Sequence, residues 1–151
     1  MTLSPDVPVA LSTTDLGSSI CLDITFKAAP KSGWITALCM LYFKKIDTVR
    51  VEDRSSRISL AIRGPEVKAS KLAVYHTKLH EYTVWLDEKQ LGALIGFFLT
   101  YLRDGRAEVN HLDLEAAPRS KAGKRIDLIF KVPDSRPHLS QEELLRQLDL
   151  D

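Results

Sequence analysis

The sequence predicts an α+β fold: a largely antiparallel sheet with one long helix packed on one face, and a short C-terminal helix. Three observations lead there. Most short segments between residues 20 and 132 alternate apolar and polar side chains, the pattern of strands with one buried and one wet face. A single stretch, residues 88–104, repeats its apolar side chains at helical spacing between clear start and stop signals. Breaks rich in Gly, Pro and Ser separate these segments.

Residues 1–19 are rich in Ser, Thr and Pro and read as a loose N-terminal arm, in which Val7, Val9 and Leu11 offer a short edge strand. A single α+β domain is expected over 20–135. Its first strand places Ile20, Leu22, Ile24 and Phe26 on one face and Cys21, Asp23, Thr25 and Lys27 on the other. The run from Trp34 to Ile46 is nearly all apolar, so a buried strand and a buried helix both fit. Its aromatic and β-branched residues favour a short strand after Gly33. Val49 and Val51 then point inward, with Arg50 and Glu52 outward, and Ile58, Leu60 and Ile62 repeat the pattern against Arg57, Ser59 and Arg63.

"KLAVYHTKLHEYTVWLD" reads as a strand pair, with Leu72 and Val74 sharing a face, His80 at the turn, and Tyr82, Val84 and Leu86 sharing a face on the return. The long helix is the clearest element. Asp87 and Gln90 form a capping box, and Leu86 can staple onto Leu91. Leu91, Leu94, Ile95, Phe98 and Leu102 form its stripe, which stops at Asp104-Gly105. Two strands follow, with Leu112 and Leu114 inward in the first and Ile126, Leu128, Phe130 and Val132 inward in the second. Residues 136–151 suit a short helix capped by Ser140 and Glu143, with Leu144, Leu145, Leu148 and Leu150 on its apolar side. No internal repeat is evident.

Size and charge narrow the function. At 151 residues the chain suits one domain with its own core. Lys plus Arg number 21 and Asp plus Glu 20, leaving a formal charge of +1. A dedicated nucleic-acid-binding domain neutralises phosphates with a basic excess, so this balance disfavours that class. Cys21 and Cys39 lie in apolar runs and form no C-x-x-C pair, which indicates neither a disulfide framework nor a zinc motif. The N-terminal segment lacks the features of a signal peptide, and no apolar run reaches membrane-spanning length, so a cytoplasmic location is expected. Gly-rich phosphate loops are missing too, and no cofactor is expected.

Four groups of residues carry the functional candidates. His111, Asp113 and Glu115 alternate on one strand, about 7 Å apart, a spacing that lets side chains converge on one ion or one water. Strand patterning alone also demands polar residues out of phase with Leu112 and Leu114, and this row therefore reads as part of a docking face rather than a metal centre. His76 and His80 are too far apart on a strand to share a zinc ion. Arg119, Lys121, Lys124 and Arg125 put four cations on one hairpin loop, suited to phosphates or an acidic partner. Trp85 should lie on the outer face with Thr83, either beneath the N-terminal arm or as an anchor for a partner.

The expected function is a non-enzymatic protein-binding module, of the inhibitor or immunity- and antitoxin-type class, that neutralises a toxin or effector. That class rests on size and architecture. The first alternative is a nucleic-acid-associated protein using the basic loop, and the second is a metal-dependent enzyme centred on His111, Asp113 and Glu115. The apolar girth of the long helix and the leucine face of the last one are compatible with a homodimer.

Overall fold

The structure, a computed structural model, describes residues 1–17, 19–62, 73–76, 80–105, 111–115 and 125–133, together with 142, 145 and 146. Nine strands and two helices have defined bounds among them: β1 (Thr2–Leu3), β2 (Val9–Asp15), β3 (Ser19–Phe26), α1 (Ser32–Tyr42), β4 (Thr48–Glu52), β5 (Arg57–Ile62), β6 (Ala73–His76), β7 (Glu81–Leu86), α2 (Glu88–Asp104), β8 (His111–Glu115) and β9 (Arg125–Lys131). They build two sheets rather than one, ordered β1-β4-β5-β7-β6 and β2-β3-β9-β8. We call these sheets A and B. The α+β content matches expectation, but a largely antiparallel sheet does not. Three pairings are parallel: β1 with β4, β5 with β7, and β3 with β9. The cause is connectivity. Each helix crosses from one sheet to the other, so the central strands meet partners far away in sequence instead of their own hairpin mates.

That connectivity contains a repeat that the residues conceal. The order β2-β3-α1-β4-β5 recurs as β6-β7-α2-β8-β9. Exchanging the two series turns sheet B's order, β2-β3-β9-β8, into β6-β7-β5-β4, the inner part of sheet A, with every pairing sense preserved. What recurs is burial, not identity. Leu22, Ile24 and Phe26 face inward on β3, as Tyr82, Val84 and Leu86 do on β7. The inner faces of both sheets and the buried stripes of both helices meet in a single core.

The run from Trp34 to Ile46, read as a strand, is instead largely helix α1. Trp34, Ile35, Ala37, Leu38 and Leu41 are buried, a helical stripe wide enough to look continuous in sequence. Its stop signal is also disguised. Lys45 N–H donates to Met40 O at 2.8 Å and Lys44 N–H to Leu41 O at 3.0 Å, the paired bonds of a Schellman cap. The left-handed residue of that cap is Lys44, at φ 59°, where glycine is usual. Lys44→Gly should therefore raise stability by about 0.5–1 kcal/mol in urea unfolding. An unchanged or lower midpoint would show that Lys44 pays no left-handed strain.

The long helix forms as its caps dictate. Asp87 Oδ1 accepts from Gln90 N–H at 2.7 Å, and Gln90 Oε1 accepts from Asp87 N–H at 3.0 Å. Gly105 closes the other end at φ 67°. Its buried stripe is Leu91, Leu94, Phe98 and Tyr101. Tyr101 thus takes the inward place expected of Leu102, and its hydroxyl donates to Pro133 O at 3.1 Å.

At the N-terminus, Val9 and Leu11 do lie in a strand. All seven residues of β2 pair with β3, while β1 adds to the edge of sheet A. The short helix expected over 136–151 lies outside the described residues except for Glu142, Leu145 and Arg146, which are helical.

Candidate functional site: the outer face of sheet B

Alternation along three strands assembles this face. Cys21, Asp23 and Thr25 are out of phase with the buried Leu22, Ile24 and Phe26 of β3. On β9, Asp127, Ile129 and Lys131 are out of phase with the buried Leu128, Phe130 and Val132. On β8, His111 and Asp113 are out of phase with Leu112 and the buried Leu114. Register then joins the strands side by side. Thr25, Lys131 and His111 form one cross-strand row; Asp23, Ile129 and Asp113 the next; and Cys21, Asp127 and Glu115 the third.

Ile129 is therefore an apolar position with an aspartate on each side. Asp23 is held in place: Lys131 Nζ sits 3.3 Å from its Oδ1, an ion pair not aligned as a hydrogen bond. The Cys21 thiol donates to Asp23 Oδ2 at 3.9 Å. Burial first, and then the negative charges of Asp23 and Asp127, push that thiol up from its ordinary pKa; Lys131 opposes them, and Asp113 adds a lesser rise. A thiol so placed stays protonated and behaves as a small apolar group rather than a nucleophile. His111 Nε2 and Asp113 Oδ2 stand 3.9 Å apart, both well exposed. Among the described residues no three His, Cys, Asp or Glu side chains converge to hold a metal ion.

The other candidates lie elsewhere. Trp85 is half-buried on the outer face of sheet A, as its alternation with Val84 and Leu86 requires. It pairs in register with Ala61. The N-terminal residues do not cross above it, since β1 and β2 run as edge strands in the two sheets. Because the inner faces of both sheets share one core, Trp85 and the His111 row point away from each other. They lie on the outer faces of two different sheets. Arg57, counted among the outward cations, is clasped by Glu52 at 3.0 Å and Glu81 at 2.6 Å. Arg50 Nε donates to Ser59 Oγ at 3.5 Å. Arg119, Lys121 and Lys124 lie outside the described residues, and Arg125 opens β9 opposite Ser19.

Sequence reading found the His111 row but missed Asp23, Asp127, Ile129 and Lys131 as its neighbours. Each was legible as an outward position on its own strand. The parallel β3–β9 pairing that unites them carries no local signal. Comparison with protein-family models and with curated proteins finds no match.

Proposed function

We propose that this chain is a non-enzymatic protein-binding module and that it docks its partner on the outer face of sheet B. The observation that carries this reading is the set of aspartates, Asp23, Asp113 and Asp127, ranged in register around Ile129 on paired strands. A small apolar centre with a charged rim is the anatomy of a protein interface. Backbone pairing fixes the spacing of the carboxylates, so little order has to be imposed on binding. The rim is mostly acidic, and the matching partner surface is rich in Lys and Arg. An enzyme or effector that acts on polyanions has such a surface, and covering it would neutralise that partner. An inhibitor of this kind is the form we favour.

Affinity capture from native lysate tests the reading with wild type, Ile129→Arg, Asp113→Lys and Trp85→Ala. Wild type should retain a stoichiometric protein that washes off as salt rises. Ile129→Arg should weaken retention by about 2 kcal/mol or more, as expected for a central anchor, and Asp113→Lys should weaken it less. Trp85→Ala should bind as wild type does. Loss of the partner with Trp85→Ala alone would move the interface to sheet A, and capture of nothing but nuclease-sensitive material would end the proposal.

A further inference from the structure

The side of α2 away from its buried stripe carries a second seam, of which only Ile95 also packs partly against the core. Leu91, Leu94, Phe98 and Tyr101 face inward. Glu88, Gly92, Ile95, Leu99 and Leu102 follow one another at spacings of four, three, four and three, the pattern that keeps a stripe facing a partner helix. Leu99 is 48% exposed and Leu102 51%, with Ile95 half-buried between them and Gly92 on the surface. At the N-terminal end of the stripe, the nearest atom to a side chain built at Gly92 would be Tyr42 Cε2, at 3.9 Å. Tyr42 stacks edge-on with Phe43, which is 68% exposed. The apolar surface thus continues from α2 onto the end of α1. Large aliphatic groups crowd one end, and glycine beside aromatic rings forms the other.

We propose that this surface binds a second copy of the chain, with the two α2 helices antiparallel about a two-fold axis near Phe97. In that register Ile95 faces Leu99 of the second copy, and Leu102 enters the space left by Gly92 beside Tyr42 and Phe43. One patch thereby satisfies itself, as an isologous interface requires. Charge selects the direction. Glu88 lies in the first turn and Arg103 in the last. Antiparallel helices bring these opposite charges together at both ends of the interface, and their macrodipoles oppose; a parallel pair would set Glu88 against Glu88 and Arg103 against Arg103. Arg103 already shares Asp104, at 2.8 Å, so the second carboxylate completes a small network rather than capturing a free cation. The helix layer is separate from the acidic face of sheet B, and the dimer stands or falls independently of the proposed partner.

Sedimentation velocity with light scattering decides the matter, over roughly 1–200 µM protein. Wild type should reach twice the 17.0 kDa chain mass. Leu99→Arg and Leu102→Arg should each remain monomeric with unchanged far-ultraviolet circular dichroism, because both side chains are about half exposed. Glu88→Arg and Arg103→Glu should each weaken association by roughly tenfold, since the dyad repeats the pair. The doubly reversed variant should return most of that loss, which a merely structural effect of either change would not do. A wild type that stays monomeric throughout would overturn the proposal. So would a dimer that survives Leu99→Arg, or charge reversals that fail to compensate.

Discussion

Replacing Trp34 with alanine is expected to cost about 3–5 kcal/mol of folding stability. Trp34 is 1% exposed, with ring centroids 5.3 Å from Phe26, 5.5 Å from Phe98 and 6.4 Å from Phe130. Phe26 and Phe130 stand on β3 and β9, and Phe98 on α2, so three separately anchored rings close around the indole. None can collapse into the hole without moving its own backbone, and the loss therefore includes a cavity term as well as lost transfer energy. Tilted and edge-on ring contacts add about 0.5–1.5 kcal/mol each. Against a typical total of about 5–15 kcal/mol, such a loss leaves the fold marginal.

Trp34 also contains a test of its own chemistry. Among the described residues its buried Nε1–H has no hydrogen-bond partner. An orphaned donor costs about 1–3 kcal/mol, and phenylalanine removes it while keeping most of the ring contact. Trp34→Phe should therefore cost less than about 2 kcal/mol. Urea unfolding of the three proteins checks both numbers. A cost for Trp34→Ala below about 1 kcal/mol would mean that the aromatic cluster does not organise the core. Equal costs for the two variants would mean that the indole nitrogen has a partner.

The same residue shows why the sequence disclosed some elements and withheld others. The long helix was legible because Asp87, Gln90 and Gly105 mark its ends with local chemistry. At α1 the corresponding marks are missing. Lys31, its N-cap, makes no side-chain cap, Lys44 replaces the terminal glycine, and Trp34 to Leu41 is buried too widely to leave a period. Individual strands were legible because most have one wetter face, and the alternation survives in β3, β4, β7, β8 and β9, whereas in β5 Ser59 and Ala61 are buried as well as Ile58 and Leu60. How they pair was not. Nothing near Ser19 announces Arg125 as its neighbour, and nothing near Arg57 announces Glu81. The candidate site follows the same division: the outward direction of His111, Asp113 and Ile129 is local, and their assembly is topological.

Asp53→Ala is expected to cost about 2–3 kcal/mol, a large effect for a loop residue. Asp53 Oδ1 accepts from Ser55 N–H and Ser56 N–H, each at 2.8 Å, and from Ser55 Oγ at 3.1 Å, which shapes the β4–β5 connection. Its Oδ2 accepts from Leu11 N–H at 2.8 Å, on β2 of the other sheet. One carboxylate thus joins the two sheets, beside the bond from Thr13 Oγ1 to Tyr82 OH at 2.9 Å. Alanine would leave three backbone donors without their acceptor at once. Burial raises the Asp53 pKa, but the bonds from Leu11, Ser55 and Ser56 outweigh it and hold the group below its ordinary value of 3.8. The sign follows from that direction. A carboxylate with a depressed folded pKa binds protons more readily when unfolded, so its contribution is present above the unfolded pKa and is lost as pH falls through the folded one. Asp53→Asn removes the charge and one of the two accepting oxygens, so only the part of its cost that changes with pH reports the charge. The stability difference between wild type and Asp53→Asn should be full at pH 7 and shrink on acidification below about pH 4 to the remainder left by the lost acceptor, as wild type too becomes neutral at this position. Paired urea titrations across that range measure it. A difference that stays constant with pH would show that Asp53 holds the sheets together by shape, with no contribution from its charge.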